Sequence, residues 1–209
     1  MRYTGPRNRL ARREGQDLGL KTVGSKSHAN LLRRMNIRPG QRPNARYKKS
    51  TEYGKQLREK QKLKRIYSLS EVQLKKYFTE ASHILGNTAH FLVQQLETRL
   101  DNAVYRLGLA PTRAGARQLV NHGHILVNGK KCSIPSYKLK ADDIISFKKE
   151  KTMKIPYIEE SLKRTDISLP TWLGREKNTG KVMTLPDVDA MTDDVDLQSV
   201  IEFYSRKTN

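Results

Sequence analysis

Residues Leu119–Lys131 read LVNHGHILVNGKK, and within this stretch the hydrophobic period changes from helical to alternating. Up to Gly123, Ala116, Leu119 and Val120 recur at three- and four-residue spacing, which predicts a helix that opens at Thr112 after Pro111. Beyond Gly123, Ile125 and Val127 alternate, Asn128-Gly129 turns the chain, and Lys130 to Ile134 leads it back. Asn-Gly between alternating residues is a strong hairpin signal, because both turn positions need positive φ. KADDIISF, Lys140–Phe147, predicts a further strand with Ile145 and Phe147 on one face. Upstream, Thr88 caps a helix whose apolar face is Leu92, Leu96, Leu100, Val104 and Leu107, ending at Gly108. Residues 92–150 therefore read as two helices packed on a small antiparallel sheet.

Working toward the N-terminus, Ser70 and Gln73 fit a capping box, and Leu69 with Leu74 fits the hydrophobic staple across it. Leu74, Tyr77, Phe78, Ala81 and Ile84 continue that helix until Gly86. Ser50–Tyr67 is rich in helix formers, but its apolar stripe is thin, so one face is expected to lie on a partner or on RNA. Residues 1–49 hold Gly5-Pro6, Pro39-Gly40 and Arg42-Pro43 and little periodicity beyond a short cluster, Leu31, Leu32, Met35 and Ile37. They read as a basic arm, extended or ordered by RNA. Toward the C-terminus, strands are expected at KVMTLP, Lys181–Pro186, and at SVIEFY, Ser199–Tyr204. The whole is an α+β chain: the arm, a helical domain over 50–91 completed by 155–209, and the helix–sheet module between them.

Composition narrows the function. The 209 residues carry 41 Lys and Arg against 21 Asp and Glu, a net charge of +20, and only 36% are hydrophobic. Such a charge opposes compaction and calls for a polyanionic partner, nucleic acid first and an anionic membrane second. Residues 1–66 account for +16 of it, with 20 bases against Glu14, Asp17, Glu52 and Glu59. An acidic run follows near the other end: Asp187, Asp189, Asp193, Asp194, Asp196 and Glu202. No membrane is expected, since runs such as HFLV, His90–Val93, fall far short of the roughly 20 apolar residues of a spanning helix. MRYTGPRNRLARREG, Met1–Gly15, lacks the apolar core of a secretory signal, and the lone Cys132 allows no internal disulfide, which points to a reducing, cytoplasmic setting.

Two rows of polar side chains are expected on the outward faces of the module helices. Arg99, Asn102 and Arg106 stand at i, i+3 and i+7, and Arg113, Arg117 and Asn121 at i, i+4 and i+8, with Gln118 and His122 beside them and Lys130 and Lys131 leaving the hairpin nearby. Forked guanidiniums bind phosphate bidentately, and amides read base edges or riboses. One such row is usually a solvated basic face; several converging on one small module of a +20 chain point to RNA. A metal at His122 and His124 would need further ligands that this segment does not offer. Cys132 reads as a core-facing strand residue rather than a nucleophile. TRLDNAV, Thr98–Val104, resembles a fragment of a pseudouridine-synthase motif, but Asp101 falls mid-helix, where it would orient an arginine. No catalytic residue, metal or cofactor is expected.

LETRLDNAVYRLGLAPTRAGARQLVNHGHILVNGKKCSIPSYKLKADDIISF, Leu96–Phe147, closely resembles the RNA-binding domain named after small-subunit ribosomal protein four. RYTGPRNRLARREG at the start, YGKQLREKQKLKRIYSLSEVQL in the middle and IEFYSR near the end extend the resemblance to the bacterial or organellar form of that family, over nearly the whole chain. The resemblance implies a structural protein of the ribosome that binds the 5′ domain of 16S-type rRNA and nucleates subunit assembly. It implies contacts with small-subunit ribosomal protein five and with mRNA where it enters the subunit, and an influence on decoding accuracy. Some members also repress translation of their own messenger. Carried over by position, it assigns RNA contacts to Arg2, Arg7, Arg9, Arg12 and Arg13, to the rows above with His122 and His124, and to Ser136 and Tyr137 in the turn IPSY, Ile134–Tyr137. Some relatives hold zinc through cysteines in the arm; Asn8 and Ala11 stand at two of those positions here, so no zinc is expected. Where the family is usually basic after Leu185-Pro186, Asp187 begins the acidic run, which is expected to dock on a basic protein surface or stay mobile. An RNA-modifying enzyme and a free regulatory RNA binder are the competing classes, the first leaving little chain for a catalytic domain.

Overall fold

The structure, a computed structural model, describes residues 3–40, 50–164, 168–191 and 195–208. It divides into two compact units, Met1–Ala89 with Asp193–Asn209, and His90–Thr192.

The first unit is helical: α1 (Arg7–Glu14), α2 (Lys26–Arg33), α3 (Glu52–Ile66), α4 (Glu71–Ser82) and α10 (Leu197–Thr208). Both halves of the predicted capping box are present at α4, Ser70 accepting from the Gln73 N–H and Gln73 from the Ser70 N–H. Leu69 and Leu74 are buried, but α4 stops at Ser82 and leaves Ile84 exposed. The thin stripe of α3 is widened by polar side chains that satisfy one another. Gln56 donates to Glu202 at 2.7 Å, and the buried Lys60 ammonium reaches Glu71 at 2.6 Å while lying 4.7 Å from the Phe203 ring centroid. Phe78 stacks on Tyr204 at 4.9 Å, closing α4 against α10.

One expectation fails in this unit. SVIEFY is helix, not strand: Val200, Phe203 and Tyr204 are the buried positions, at i, i+3 and i+4. The β-branched and aromatic content suggested a strand, but burial against α3 selected the helical period. The arm, expected to be extended or ordered by RNA, carries two helices over its described residues. α1 ends at Gly15 in the left-handed region (φ 71°), and Ser25 caps α2 by accepting from the His28 N–H. Ala11, Leu18, Leu20 and Leu31 supply its buried apolar surface, too few and too widely spaced to show as a period.

The second unit holds α5 (Thr88–Glu97, from His90 on), α6 (Leu100–Arg106), α7 (Arg113–Asn121), α8 (Glu150–Met153) and α9 (Pro156–Lys163). Its strands are β1 (Ile125–Val127), β2 (Lys130–Lys131), β3 (Ile144–Phe147), β4 (Leu173–Glu176) and β5 (Thr179–Val182). They form one antiparallel sheet in the order β2-β1-β3-β5-β4. Asn128 (φ 51°) and Gly129 (φ 74°) make the predicted hairpin turn. Asn128 is doubly held, donating to Asp143 and accepting from the Ile144 N–H, each at 2.8 Å. Leu100, Val104, Leu107, Leu119, Val120, Ile125, Ile145 and Trp172 form the core beneath the sheet.

The single helix expected over 88–108 is two. Arg99 is extended (ψ 135°) and bridges to Lys138, and the start of α6 donates Leu100 N–H to the Tyr137 carbonyl at 2.9 Å and Asp101 N–H to that of Pro135 at 3.1 Å. Backbone groups of the 134–139 segment thus replace the helical partners that a continuous helix would have supplied. The described residues of 155–191, in a segment expected to complete the helical domain, pack in this unit instead. The β4–β5 hairpin pairs with β3 and brings Trp172, Leu173 and Val182 into the core with Ile158. Gly180 is required there, because a Cβ on it would lie 2.3 Å from Leu107 Cδ1.

Candidate nucleic-acid interface

The helix-to-strand switch builds a polar rim. Gln118 and Asn121 on α7, His122 at its C-terminal cap, and Lys130 and Lys131 of β2 are all exposed, with His124 half-buried between them. Gly123 holds φ at 68°, and a Cβ there would fall 2.2 Å from Lys131 Cε, so the lysine stem lies directly across the turn. The His122 and His124 ring centroids are 6.1 Å apart, and His124 Nδ1 lies 3.2 Å from Thr152 Oγ1. The histidines thus flank a cationic stem at a backbone reversal, with no third ligand between them among the described residues. The IPSY turn, fixed on the start of α6, presents exposed Ile134, Ser136 and Tyr137.

The arginine rows do not face outward as expected. Arg99, Asn102 and Arg113 are buried, and Arg106 is nearly so. Arg99 grips Asp101 with two hydrogen bonds, Nε to Oδ1 at 3.0 Å and an Nη to Oδ2 at 2.8 Å. Arg117, partly exposed, reaches the same carboxylate at 3.5 Å. Arg106 forks onto the fully buried Glu97 at 2.9 and 3.2 Å, and Asn102 donates to Glu97 at 2.8 Å. Arg113 donates to Asn102 Oδ1 at 2.9 Å and stacks on Tyr105, 4.6 Å from the ring centroid. The break at Thr98–Arg99 reorients α6 relative to the projected helix, so that Arg99, Asn102 and Arg106 turn inward onto Asp101 and Glu97, and Arg113 of α7 joins them through Asn102. Asp101 does orient an arginine, from the first turn of α6 rather than mid-helix.

In the first unit Arg9 and Arg13 are exposed, whereas Arg7 donates to the Leu20 carbonyl at 3.3 Å and Arg12 to those of Arg34 (3.1 Å) and Ile37 (2.8 Å). Arg2 lies outside the described residues. Asn8 donates to the Ser27 carbonyl at 2.9 Å and Ala11 is fully buried. Sequence reasoning missed the cluster at Glu14, whose buried carboxylate receives Arg58 at 3.2 Å and also Arg65. The signal was available: Arg58 and Arg65 stand two helical turns apart on one face of α3. The acidic run does not stand apart. Asp187 pairs with His90 at 2.9 Å, Asp196 caps α10 through Ser199, and Glu202 receives Gln56; Asp193 and Asp194 lie outside the described residues. The Val188 N–H, and then His90, hold the Asp187 carboxyl below its ordinary range.

The helix–sheet module defines the class. Residues 98–145 match the family model described as the S4 domain, and residues 2–97 match that of the ribosomal protein S4/S9 N-terminal domain. The chain is 49% identical to small ribosomal subunit protein uS4 of Aquifex aeolicus and 45% identical to that of Neisseria meningitidis, covering 98% of this chain and 99% of each relative. With uS4 of Herpetosiphon aurantiacus, at the same coverage, the identity is 44%. The chain belongs to the uS4 family of small-ribosomal-subunit proteins, structural constituents of the ribosome and not enzymes. None of its described helices is long and apolar enough to cross a membrane.

Proposed function

We propose that the chain binds the 5′ domain of 16S-type rRNA as an early assembly protein, through the rim of Gln118, Asn121, His122, His124, Lys130 and Lys131 and the adjoining turn at Ser136 and Tyr137. The observation that carries this reading is the gathering of these residues, all exposed but the half-buried His124, about one backbone reversal while the neighbouring arginines are turned inside. Cationic stems release counterions from phosphates, and Tyr137 offers a ring on which an unstacked base can lie. Arg9 and Arg13 add a second cationic surface. In this reading Arg99, Asn102, Arg106 and Arg113 contribute as the frame that holds α6, α7 and the IPSY turn, and Arg117 joins frame to surface. Contacts with small-subunit ribosomal protein five and with mRNA where it enters the subunit, and through them an effect on decoding accuracy, belong to the assembled subunit. Repression of its own messenger requires only that the messenger present a similar fold to the same rim.

The test is salt-titrated binding to the isolated 5′ domain with an unrelated structured RNA as competitor. Binding that persists in excess competitor, falling about tenfold or more between 50 and 200 mM salt, is expected. Binding lost equally to any structured RNA would reduce the interaction to a polycation effect and overturn the reading.

A further inference from the structure

The chain contains one Asn-Gly pair, Asn128-Gly129, and it forms the two-residue turn between β1 and β2. Asn-Gly is the dipeptide most open to deamidation, because glycine sets no side chain beside the nitrogen that attacks. We propose that Asn128 is a modification site, held in check by a side-chain clasp and, once deamidated, unable to hold the turn that presents Lys130 and Lys131. The Gly129 nitrogen gives up its proton and bonds to Asn128 Cγ; the Cγ–Nδ2 bond breaks and ammonia leaves with that proton. Water then opens the cyclic imide by breaking the bond between its nitrogen and either carbonyl carbon. Opening at Cγ leaves aspartate at position 128, and opening at the main-chain carbonyl leaves isoaspartate. Neither step needs an oxidant or a reductant.

The clasp opposes the first step. Asn128 Nδ2 donates to Asp143 Oδ1, and Asn128 Oδ1 accepts from the Ile144 N–H, each at 2.8 Å. The Asn128 N–H also donates to the Ile144 carbonyl at 2.9 Å. Cγ therefore reaches the Gly129 nitrogen only after both side-chain bonds are given up. The opening this requires is local: β2 is an edge strand of two exposed residues, and nothing lies within 4 Å of where a Gly129 Cβ would stand. The product cannot rebuild the clasp. Asp143 is 7% exposed, and its Oδ2 accepts from the Lys140 N–H at 2.8 Å, which holds the carboxylate in place. A carboxylate in place of the Asn128 amide has no proton for Asp143 Oδ1, and two like charges would share the site. Isoaspartate also adds a methylene to the main chain of a two-residue turn, which breaks its primed geometry.

The experiment ages the full chain in ¹⁸O-water at mildly alkaline pH, native and urea-denatured, and reads the label at residue 128 by peptide mass spectrometry. Native chain should be modified more slowly than denatured chain by about tenfold or more, because only the open turn reacts. Asp143→Asn, checked for folding by thermal melting, keeps the shape but loses an acceptor oxygen, and should speed the native reaction severalfold. Asn128→Asp reproduces a product; hydrogen exchange at the amides of residue 128 and Cys132 should lose protection, while α6 and α7 keep theirs. Equal rates in native and denatured chain, or a folded Asp143→Asn no faster than wild type, overturns the clasp. Should Asp143→Asn not fold, the comparison of native with denatured wild type decides. An Asn128→Asp chain as protected as wild type at those amides overturns the effect on the turn. The consequence for RNA rests on the rim proposed above. An Asn128→Asp chain with an open turn should bind 5′-domain RNA more weakly; undiminished binding would sink the rim reading and leave the modification site standing.

Discussion

Replacing Arg113 by alanine separates frame from surface. The sequence pattern places Arg113 and Arg117 on an outward RNA-binding face and predicts that losing both weakens binding with the fold intact. The structure predicts the opposite for Arg113. Its side chain is 6% exposed, donates to Asn102 Oδ1 at 2.9 Å and lies over Tyr105. Removing it abolishes a charge-assisted hydrogen bond, about 1.5–3 kcal/mol, and leaves a buried amide oxygen short of a donor. Loss of the desolvated cation–π contact adds about 1–2 kcal/mol. The total, about 2.5–5 kcal/mol, is a large share of the roughly 5–15 kcal/mol that holds a domain. For a unit of this size each kcal/mol moves the midpoint by about 4–8 °C, so Tm should fall by at least about 10 °C. Calorimetry supplies the midpoint, and hydrogen exchange at amides of α6 and α7 confirms where protection is lost. An Arg113→Ala protein with unchanged Tm but weakened RNA binding would refute the inward assignment and restore the outward face.

Lys130→Gln with Lys131→Gln should behave in the reverse sense, leaving Tm unchanged while lowering the rRNA salt slope by up to about 2, measured by filter binding across a salt series. Gly123→Ala meets both a positive φ and the Lys131 stem; it should cost about 1–2 kcal/mol by denaturant unfolding and displace the rim enough to weaken RNA binding. Glu71 predicts a pH dependence. Burial pushes its pKa up, but hydrogen bonds from Lys60, Lys64 and Tyr204 outweigh that, and the net shift is downward. A carboxyl depressed in the folded state contributes stability above its ordinary range near about 4.3, lost as pH falls through its lower folded value. Unfolding of wild type against Glu71→Gln between pH 7 and 3 should therefore converge on acidification; parallel curves would exclude the linkage.

How much was legible depended on whether a signal was local. The capping box at Ser70, the Thr112 cap, the Asn128-Gly129 turn and the Ala116, Leu119, Val120 face are each specified by residues within one turn or hairpin, and all are present. The break between α5 and α6 was not legible, because its cause is distant: the carbonyls of Pro135 and Tyr137 capture the N–H groups of Asp101 and Leu100. That break decided the site reading. Counted along a continuous helix, Arg99, Asn102 and Arg106 share a face opposite the leucines. The contrary signal was the presence of Glu97 and Asp101 among them. In a chain so short of acids, two carboxylates interleaved with Arg99 and Arg106 are candidates for internal partners before the arginines are assigned to phosphate.

The same reasoning explains why α10 was misread and where the acidic run goes. Val200, Phe203 and Tyr204 fit a strand by composition, and only the polar residues of α3 reveal the helical period, since Gln56 meets Glu202 one turn before Lys60 meets Phe203 and Tyr204. Within the first unit Glu202 and Asp196 are thereby committed to the chain itself, Asp196 through its own N–H to Glu59 at 3.0 Å and through its carboxylate to Ser199. In the second unit Asp187 is committed to His90. Asp187, Asp196 and Glu202 therefore act on this chain's own helices, so they subtract little from the cationic surfaces offered to RNA. Glu14, Glu97 and Asp101 do likewise for the arginines. Among the described residues these acids match buried arginines, so the cationic excess lies mainly on the surface, which is the arrangement a polyanion-binding protein requires.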